Sequence, residues 1–257
     1  MNQPSLLALS DLHLGRSGSR LRSPEALLPL LEGFEHIYLL GDIVDRWYLS
    51  PDFSQELETR LRAVCRRAGA RQVLWFRGNH DANTQDGEEF RFQEGVLYFH
   101  GHALYHRLEG PGSAHERIRH LNARKFGWPR EACRQNKRIW ASIEVAYNRI
   151  PQRWASPLAW NALARRRLVR LASEVARGQK IRAAVFGHTH CPGAKRVGSL
   201  MAYNLGGWMQ NTHACGFVRH GDIGRLMRIE NRGKEFRWDE LWHETALDDH
   251  GKMPRAV

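Results

Sequence analysis

The chain has 257 residues, 42% apolar and 26% charged, with a formal net charge of +12; this is ordinary for a globular protein and leaves room for one large α/β domain with a real core. No stretch of about 18 uncharged apolar residues occurs, which argues against a helical membrane span, and the four cysteines (Cys65, Cys133, Cys191, Cys215) form no CxxC pair and no spaced set, which argues against a disulfide framework or a zinc knuckle. The charge excess is local: residues 103–180 hold 17 Lys and Arg against 5 Asp and Glu, so one central segment presents a surface for anions, whether phosphate groups, nucleic acid or acidic lipid.

The amino terminus, MNQPSLLALSD, has no basic leader and reaches Asp11 too early for a secretory signal, so the expected compartment is the cytoplasm. From there short apolar runs alternate with amphipathic ones. Residues 5–10 (SLLALS) read as a strand, and 23–34 (SPEALLPLLEGF) as a helix with Ser23 as N-cap and Pro24 at its first position. Residues 36–40 (HIYLL) make a second strand. Residues 50–69 place Phe53, Leu57, Leu61, Val64 and Cys65 on one helical stripe. Residues 72–76 (QVLWF) and 95–100 (GVLYFH) are the third and fourth strands, and the alternation predicts a largely parallel, buried sheet. From residue 103 the pattern changes. Residues 136–150 and 156–178 read as helices, the second with Leu168, Leu171 and Val175 on one stripe. Strand character returns at 181–186, 200–205, 215–220, 224–230 and 234–241, and 243–257 read as a loose tail. The expected organisation is one α/β domain over residues 1–242 carrying a basic helical insertion at about 103–180.

The strand ends carry the chemistry. The first delivers Asp11 and His13 (DLH), the second Asp42 and Asp45 (GDIVD), the third Asn79, His80 and Asp81 (GNHD). The fourth delivers His100 and His102 (HGH), and the strand after the insertion His188 and His190 (GHTH). Loops at the carboxyl ends of parallel strands converge on one crevice, and Gly41, Gly78 and Gly187 permit the sharp turns that aim these groups. A lone Asp is more often a cap or turn residue and a lone His a satisfied polar group; the joint occurrence in order is what outweighs that reading. Asp, His and Asn without Cys suit divalent ions of intermediate hardness, Mn²⁺, Fe²⁺ or Zn²⁺, and the donors suffice for two ions that share a carboxylate. Such a pair acidifies water and clamps an in-line displacement at phosphorus.

The series DLH, GDIVD, GNHD, HGH and GHTH closely resembles the calcineurin-like metallophosphoesterases. The resemblance implies a β-sandwich flanked by helices with a dinuclear site at one edge. It implies Asp11, His13 and His190 on the first metal, Asp42 bridging, and Asn79, His100 and His188 on the second, with Mn²⁺ the favoured ion. His80 matches the family's histidine that binds no metal and stabilises the transition state or protonates the leaving oxygen, with Asp45 holding its imidazole. Arg46, in GDIVDR, resembles the arginine that contacts phosphate in protein phosphatases of the superfamily; a solvated loop arginine is the equal alternative. His102 and Asp81 are assigned to supporting the ligands or facing substrate. The implied reaction is direct attack of metal-activated hydroxide on phosphorus.

The substrate depends on the insertion, where Trp128, Trp140, Trp154 and Trp160 lie among arginines. Packing of these tryptophans onto the core is the plain reading. A lid over an amphiphilic substrate at an anionic bilayer is the functional one, and it places the protein at the inner face of the membrane. The chain is similar here to the UDP-2,3-diacylglucosamine pyrophosphatases, which share a helical insertion and an LGDW segment matched by YNLGGW (203–208), with Gly207 in place of Asp. It departs from them at His80, where they have Arg, and at HGH, where they have HGD. A nuclease or nucleotide phosphodiesterase is the rival expectation, since Arg with Trp also suits a polynucleotide. A non-catalytic interaction scaffold ranks last because no expected ligand is missing.

Overall fold

The computed structural model describes residues 5–46, 49–80, 87–105, 162–176, 178–210, 212–231 and 236–243. Asp81, the expected helix at 136–150, the four insertion tryptophans and the tail from 244 lie outside the described residues.

Eleven strands are described, in two sheets. The first runs β11 (Phe236–His243), β10 (Ile223–Asn231), β9 (Ala214–His220), β1 (Ser5–Leu9), β2 (His36–Leu39), β3 (Gln72–Trp75). The second runs β4 (Phe90–Gln93), β5 (Val96–Phe99), β6 (Ala183–Phe186), β8 (Leu200–Asn204), β7 (Gly193–Val197). The expectation of a largely parallel sheet holds for two inner blocks. β1, β2 and β3 are mutually parallel, as are β5, β6 and β8, whereas β9, β10 and β11 on one side and β4 and β7 on the other are antiparallel additions. The result is the expected sandwich flanked by helices.

The near-continuous apolar runs explain the layering, because a strand buried on both faces needs apolar residues at every position. In β1, Leu6 and Ala8 turn inward to meet Tyr98, Val185, Tyr203 and Phe217 between the sheets. Leu7 and Leu9 turn outward against Leu57, Leu61, Val64 and Cys65 of α2 (Pro51–Arg67). On the far side, Leu97, Phe99, Ala184 and Phe186 meet Ala164, Leu168 and Ala172 of α3 (Ala162–Ala176), the described part of the helix expected at 156–178. The α2 stripe is as read except at its start: Phe53 is 41% exposed, and Ser54 and Glu58 are buried instead.

Three local expectations change. The helix expected at 23–34 is a 3₁₀ turn, Pro24–Leu27, followed by one α-helical turn, α1 (Leu28–Leu31). Pro29 lacks the N–H that would continue a single helix, and Ser23 makes no side-chain cap. β4 is a strand the sequence pattern passed over. It joins β5 through Glu94 (φ 50°) and Gly95 (φ 78°), a left-handed pair suited to a two-residue hairpin. β7 was missed as well, because GAKRV alternates too weakly to stand out.

α3 is tied to the turn His102–Tyr105 that follows β5. Arg167 Nη1 donates to the Leu104 carbonyl (2.8 Å), and Leu104 packs beside Ala164 and Leu168. Leu168 is 1% exposed, so Leu168→Ala should lower the unfolding free energy by roughly 2–5 kcal/mol in urea titration. A loss well under 1 kcal/mol would mean that α3 does not seal the outer face of the second sheet.

Candidate metal centre

The loops after β1, β2, β3, β5 and β6 meet at one edge of the sandwich, and backbone hydrogen bonds lace them together. Asp11 N donates to Gly41 O (3.1 Å), His13 N to Asp42 O (2.9 Å) and Gly187 N to His100 O (2.9 Å). Of the six described non-glycine residues with positive φ, five are Asp11 (54°), His13 (46°), Asp42 (52°), His188 (73°) and His190 (54°). Side chains other than glycine resist this region, and strain of about 1–3 kcal/mol per residue persists only where the surroundings enforce it. The concentration at these five positions marks the edge as a functional site.

The two carboxylates after β1 and β2 are fixed alike. Asp11 Oδ2 accepts from Ser10 Oγ (2.5 Å) and from His188 N (2.8 Å). Asp42 Oδ1 accepts from His80 N (2.8 Å). Each donor N–H comes from the loop beyond a glycine that leaves no room for a side chain. A Cβ on Gly187 would lie 2.0 Å from Asp11 Oδ2, and one on Gly78 2.1 Å from Asp42 Oδ1. One oxygen of each carboxylate is thereby held by backbone, and the other turns into the centre.

There the donors form two groups, each with its ligand atoms within 4.8 Å of one another: Asp11, His13 and His190, and Asp42, His100 and His188. In the first, His190 Nε2 lies 3.3 Å from Asp11 Oδ1 and 3.1 Å from His13 Nε2. In the second, His100 Nε2 lies 3.4 Å from Asp42 Oδ2 and 3.0 Å from Asn79 Oδ1, which is 3.1 Å from His188 Nδ1. Asp42 Oδ2 is also 4.0 Å from His13 Nε2, so this carboxylate stands between the groups.

The chemistry of the donors fits divalent cations. His13 Nδ1 donates to Asp45 Oδ2 (3.1 Å) and His100 Nδ1 to the Leu40 carbonyl (2.8 Å). In the neutral rings both Nε2 atoms therefore carry lone pairs, and these point at other acceptors. Asp11 Oδ1 is sealed from solvent and accepts no hydrogen bond. Converging lone pairs need a positive centre between them. In the ion-free protein a proton supplies it at His100: burial pulls this imidazole down, but Asp42 and Asp11 outweigh burial and lift it to about 10. Asp42 is correspondingly held well below the carboxylate range, burial being overcome by His100 and His80. Burial keeps the His13 imidazole below its usual range despite Asp45, as suits a neutral ligand.

His80, Asp45 and His13 make a third close group. Its contacts are hydrogen bonds through Nδ1, since His80 Nδ1 donates to Asp45 Oδ1 (2.9 Å) and His13 Nδ1 to Asp45 Oδ2. It is an orienting triad rather than a metal cage. His80 Nε2 stays 3.9 Å from Asp42 Oδ2, and the Asp45 and Asp42 carboxylates raise the imidazole to about 9 against the opposing effect of burial.

Two further expected participants lie around this centre. Arg46 turns away from Asp45 to pair with Glu58 of α2, Nε at 2.9 Å from Oε1 and Nη2 on the same oxygen. His102 lies beside the second donor group, its ring 5.6 Å from and tilted to that of His100 and 6.5 Å from and edge-on to that of His188. Sequence reasoning missed Asn204, whose Nδ2 donates to Gly187 O (3.0 Å) and Thr189 Oγ1 (2.8 Å) and so braces the loop bearing His188 and His190. It also missed what Gly207 does: a Cβ there would lie 3.0 Å from the His190 ring, so its glycine makes space for a ligand. Both lie in YNLGGW, a segment noticed only as a resemblance.

The chain matches calcineurin-like phosphoesterases over residues 4–192. No curated protein matches it in sequence. Among solved structures it is similar to Vps29 from Chaetomium thermophilum, at 10% identity over 97% of this chain and 100% of that one, TM-score 0.49. It is similar to a predicted phosphoesterase from Streptococcus pneumoniae TIGR4, at 14% over 93% and 99%, TM-score 0.44. It is also similar to a dimetal phosphatase from Danio rerio, at 15% over 92% and 99%, TM-score 0.48. The family match spans well over half of the sequence, and the chain belongs to the calcineurin-like phosphoesterase family.

Two outcomes follow from the geometry. Gly187→Ala should displace the Asp11 carboxylate, weaken divalent-cation binding by Asp11, His13 and His190 and, by overpacking, cost about 1–3 kcal/mol of stability, read by metal analysis and thermal melting. A divalent cation bound at His100 would compete with a proton there, so loading with divalent cation at pH 7.5 should release protons, and affinity should fall as pH falls. Calorimetry in buffers of different ionisation enthalpy measures this, and heats independent of buffer would show His100 already neutral.

Proposed function

We propose that the chain is a dinuclear metal-dependent phosphoesterase acting on a nucleotide-linked lipid or a related phosphodiester or pyrophosphate, of the UDP-2,3-diacylglucosamine pyrophosphatase kind. The observation that carries this reading is the convergence of two donor groups around Asp42. Asp11, His13 and His190 would hold one divalent ion and Asn79, His100 and His188 the other, with Asp42 placed to serve both. Mn²⁺ is the favoured ion, with Fe²⁺ and Zn²⁺ as alternatives. When bound, such a pair supplies Lewis acidity and a water acidic enough to attack phosphorus near neutral pH.

The protein's own groups do the rest. Burial opposes the charged form of His80, but Asp45 and Asp42 raise its imidazole to about 9. Its Nδ1–H is committed to Asp45, so the proton that can serve a phosphoryl or leaving oxygen sits on Nε2. Asp45 fixes the angle from which that proton is offered. Arg46 reaches phosphate only by releasing Glu58, which makes it the weakest of the assigned contacts. Asp81 and His102 are assigned to substrate or to supporting the ligands, His102 from its place beside His100 and His188. The exposed Arg165, Arg166 and Arg170 of α3 support an anionic partner, and the insertion and YNLGGW resemblances favour a lipid-linked one, met by a protein peripheral to the cytoplasmic face of a membrane.

Purified, Mn²⁺-loaded protein should be screened against phosphomonoesters, cyclic nucleotides, single-stranded DNA and UDP-diacylglucosamine. Hydrolysis of the last supports the lipid reading; preference for DNA with a steep salt dependence replaces it with a nuclease. His80→Ala should keep its metals and lose about 10²–10⁴-fold in kcat, whereas Asp42→Ala should lose metal as well. Full activity in either variant refutes the roles assigned to these two side chains.

A further inference from the structure

Asp45 receives one more group than the assigned mechanism uses. Its carboxylate is wholly buried. Oδ1 takes His80 Nδ1 at 2.9 Å, while Oδ2 takes His13 Nδ1 at 3.1 Å and Arg16 Nη1 at 3.2 Å. The Arg16 side chain is itself only 10% exposed. We propose that Arg16 is a positioning residue of the centre: it anchors Asp45 from the side opposite His80 and, through that carboxylate, orients both His13 and His80. This rests on the roles proposed for those two histidines.

A buried carboxylate needs counter-charge as well as donors. His13 supplies an N–H but no fixed charge, His80 supplies charge only while it is protonated, and an uncompensated buried anion is costly. Arginine stays protonated at every accessible pH and offers several donors in a rigid fork. Arg16 therefore keeps Asp45 an acceptor whichever protonation state His80 adopts. An acceptor is required on both sides: it makes His13 present Nε2 to a cation and makes His80 present Nε2 to substrate. The backbone delivers Arg16 to this place. Gly15 (φ 85°) turns the chain where a Cβ would lie 2.5 Å from Leu49 Cδ1, and Arg16 N returns to His13 O at 3.1 Å. Arg46, adjacent to Asp45 in sequence, is held by Glu58 instead.

The test uses full-length protein in three forms: wild type, Arg16→Met and Arg16→Lys. In Zn²⁺-loaded protein labelled with ¹⁵N-histidine, wild type should show slowly exchanging Nδ1–H resonances for both His13 and His80. Arg16→Met should broaden or lose at least one, and Arg16→Lys should keep both. On a bis-aryl phosphodiester with Mn²⁺, Arg16→Met should lose about 10–100-fold in kcat, the usual effect of removing such a supporting group, with KM within about threefold. Arg16→Lys should restore most of that loss. A wild type lacking either resonance overturns the proposal without any variant. So does an Arg16→Met protein with both resonances and wild-type kcat, or one in which KM alone rises, which would make Arg16 a substrate contact. If wild type hydrolyses no phosphoester, the functional reading falls, yet the imidazole resonances still decide the place of Arg16.

Discussion

Three carboxylates, those of Asp11, Asp42 and Asp45, are buried within reach of one another, and most features of this edge of the molecule answer the problem that creates. Buried anions are tolerated only where hydrogen bonds and positive charge meet them. Backbone N–H groups of His188 and His80 take one oxygen each of Asp11 and Asp42, and Asp45 takes a guanidinium and two imidazoles. The carboxylates raise the His80 and His100 imidazoles to about 9 and about 10 against burial, and the Arg16 guanidinium lies 3.2 Å from Asp45. The same balance makes the place hospitable to cations: a divalent ion replaces a proton at no loss of compensating charge.

The geometry demands an unusual backbone. For a carboxylate after one strand to reach an N–H after another, the chains must touch, and Gly78 and Gly187 are where they do. The left-handed conformations of five donor residues are the other half of the arrangement. A sandwich packed on both outer faces by helices is stiff enough to hold them, because each inner strand is fastened by neighbours, by the opposing sheet and by a helix. Strain at the rim and dense packing beneath it are thus two aspects of one construction.

Much of this was readable in the sequence. Short apolar runs ending in DLH, GDIVD, GNHD, HGH and GHTH marked the strand ends, because side chains that must converge occupy the first turns after strands. What escaped reading did so for definite reasons. Pro29 split a helix whose apolar pattern was otherwise continuous. β4 and β7 are edge strands with short or mixed patterns, whose pairing depends on a neighbour rather than on their own composition. The phosphate role of Arg46 rests on the resemblance of GDIVDR, with a solvated loop arginine as its equal alternative; contact along a loop is set by where the side chain finds a partner, and Arg46 finds Glu58 of α2. Arg16 and Asn204 act by hydrogen bonds between loops distant in sequence, which no local pattern encodes.

The clasp between α3 and the turn after β5 has a consequence for how the molecule diversifies. Arg167 and Leu104 fasten α3 to the turn after β5, the described residues on either side of 106–161. Joining the ends of a chain segment costs closure entropy that grows only logarithmically, about 0.6 kcal/mol for each doubling in length. Relatives of this chain could therefore lengthen, shorten or exchange that segment while the histidines a few residues away keep their places.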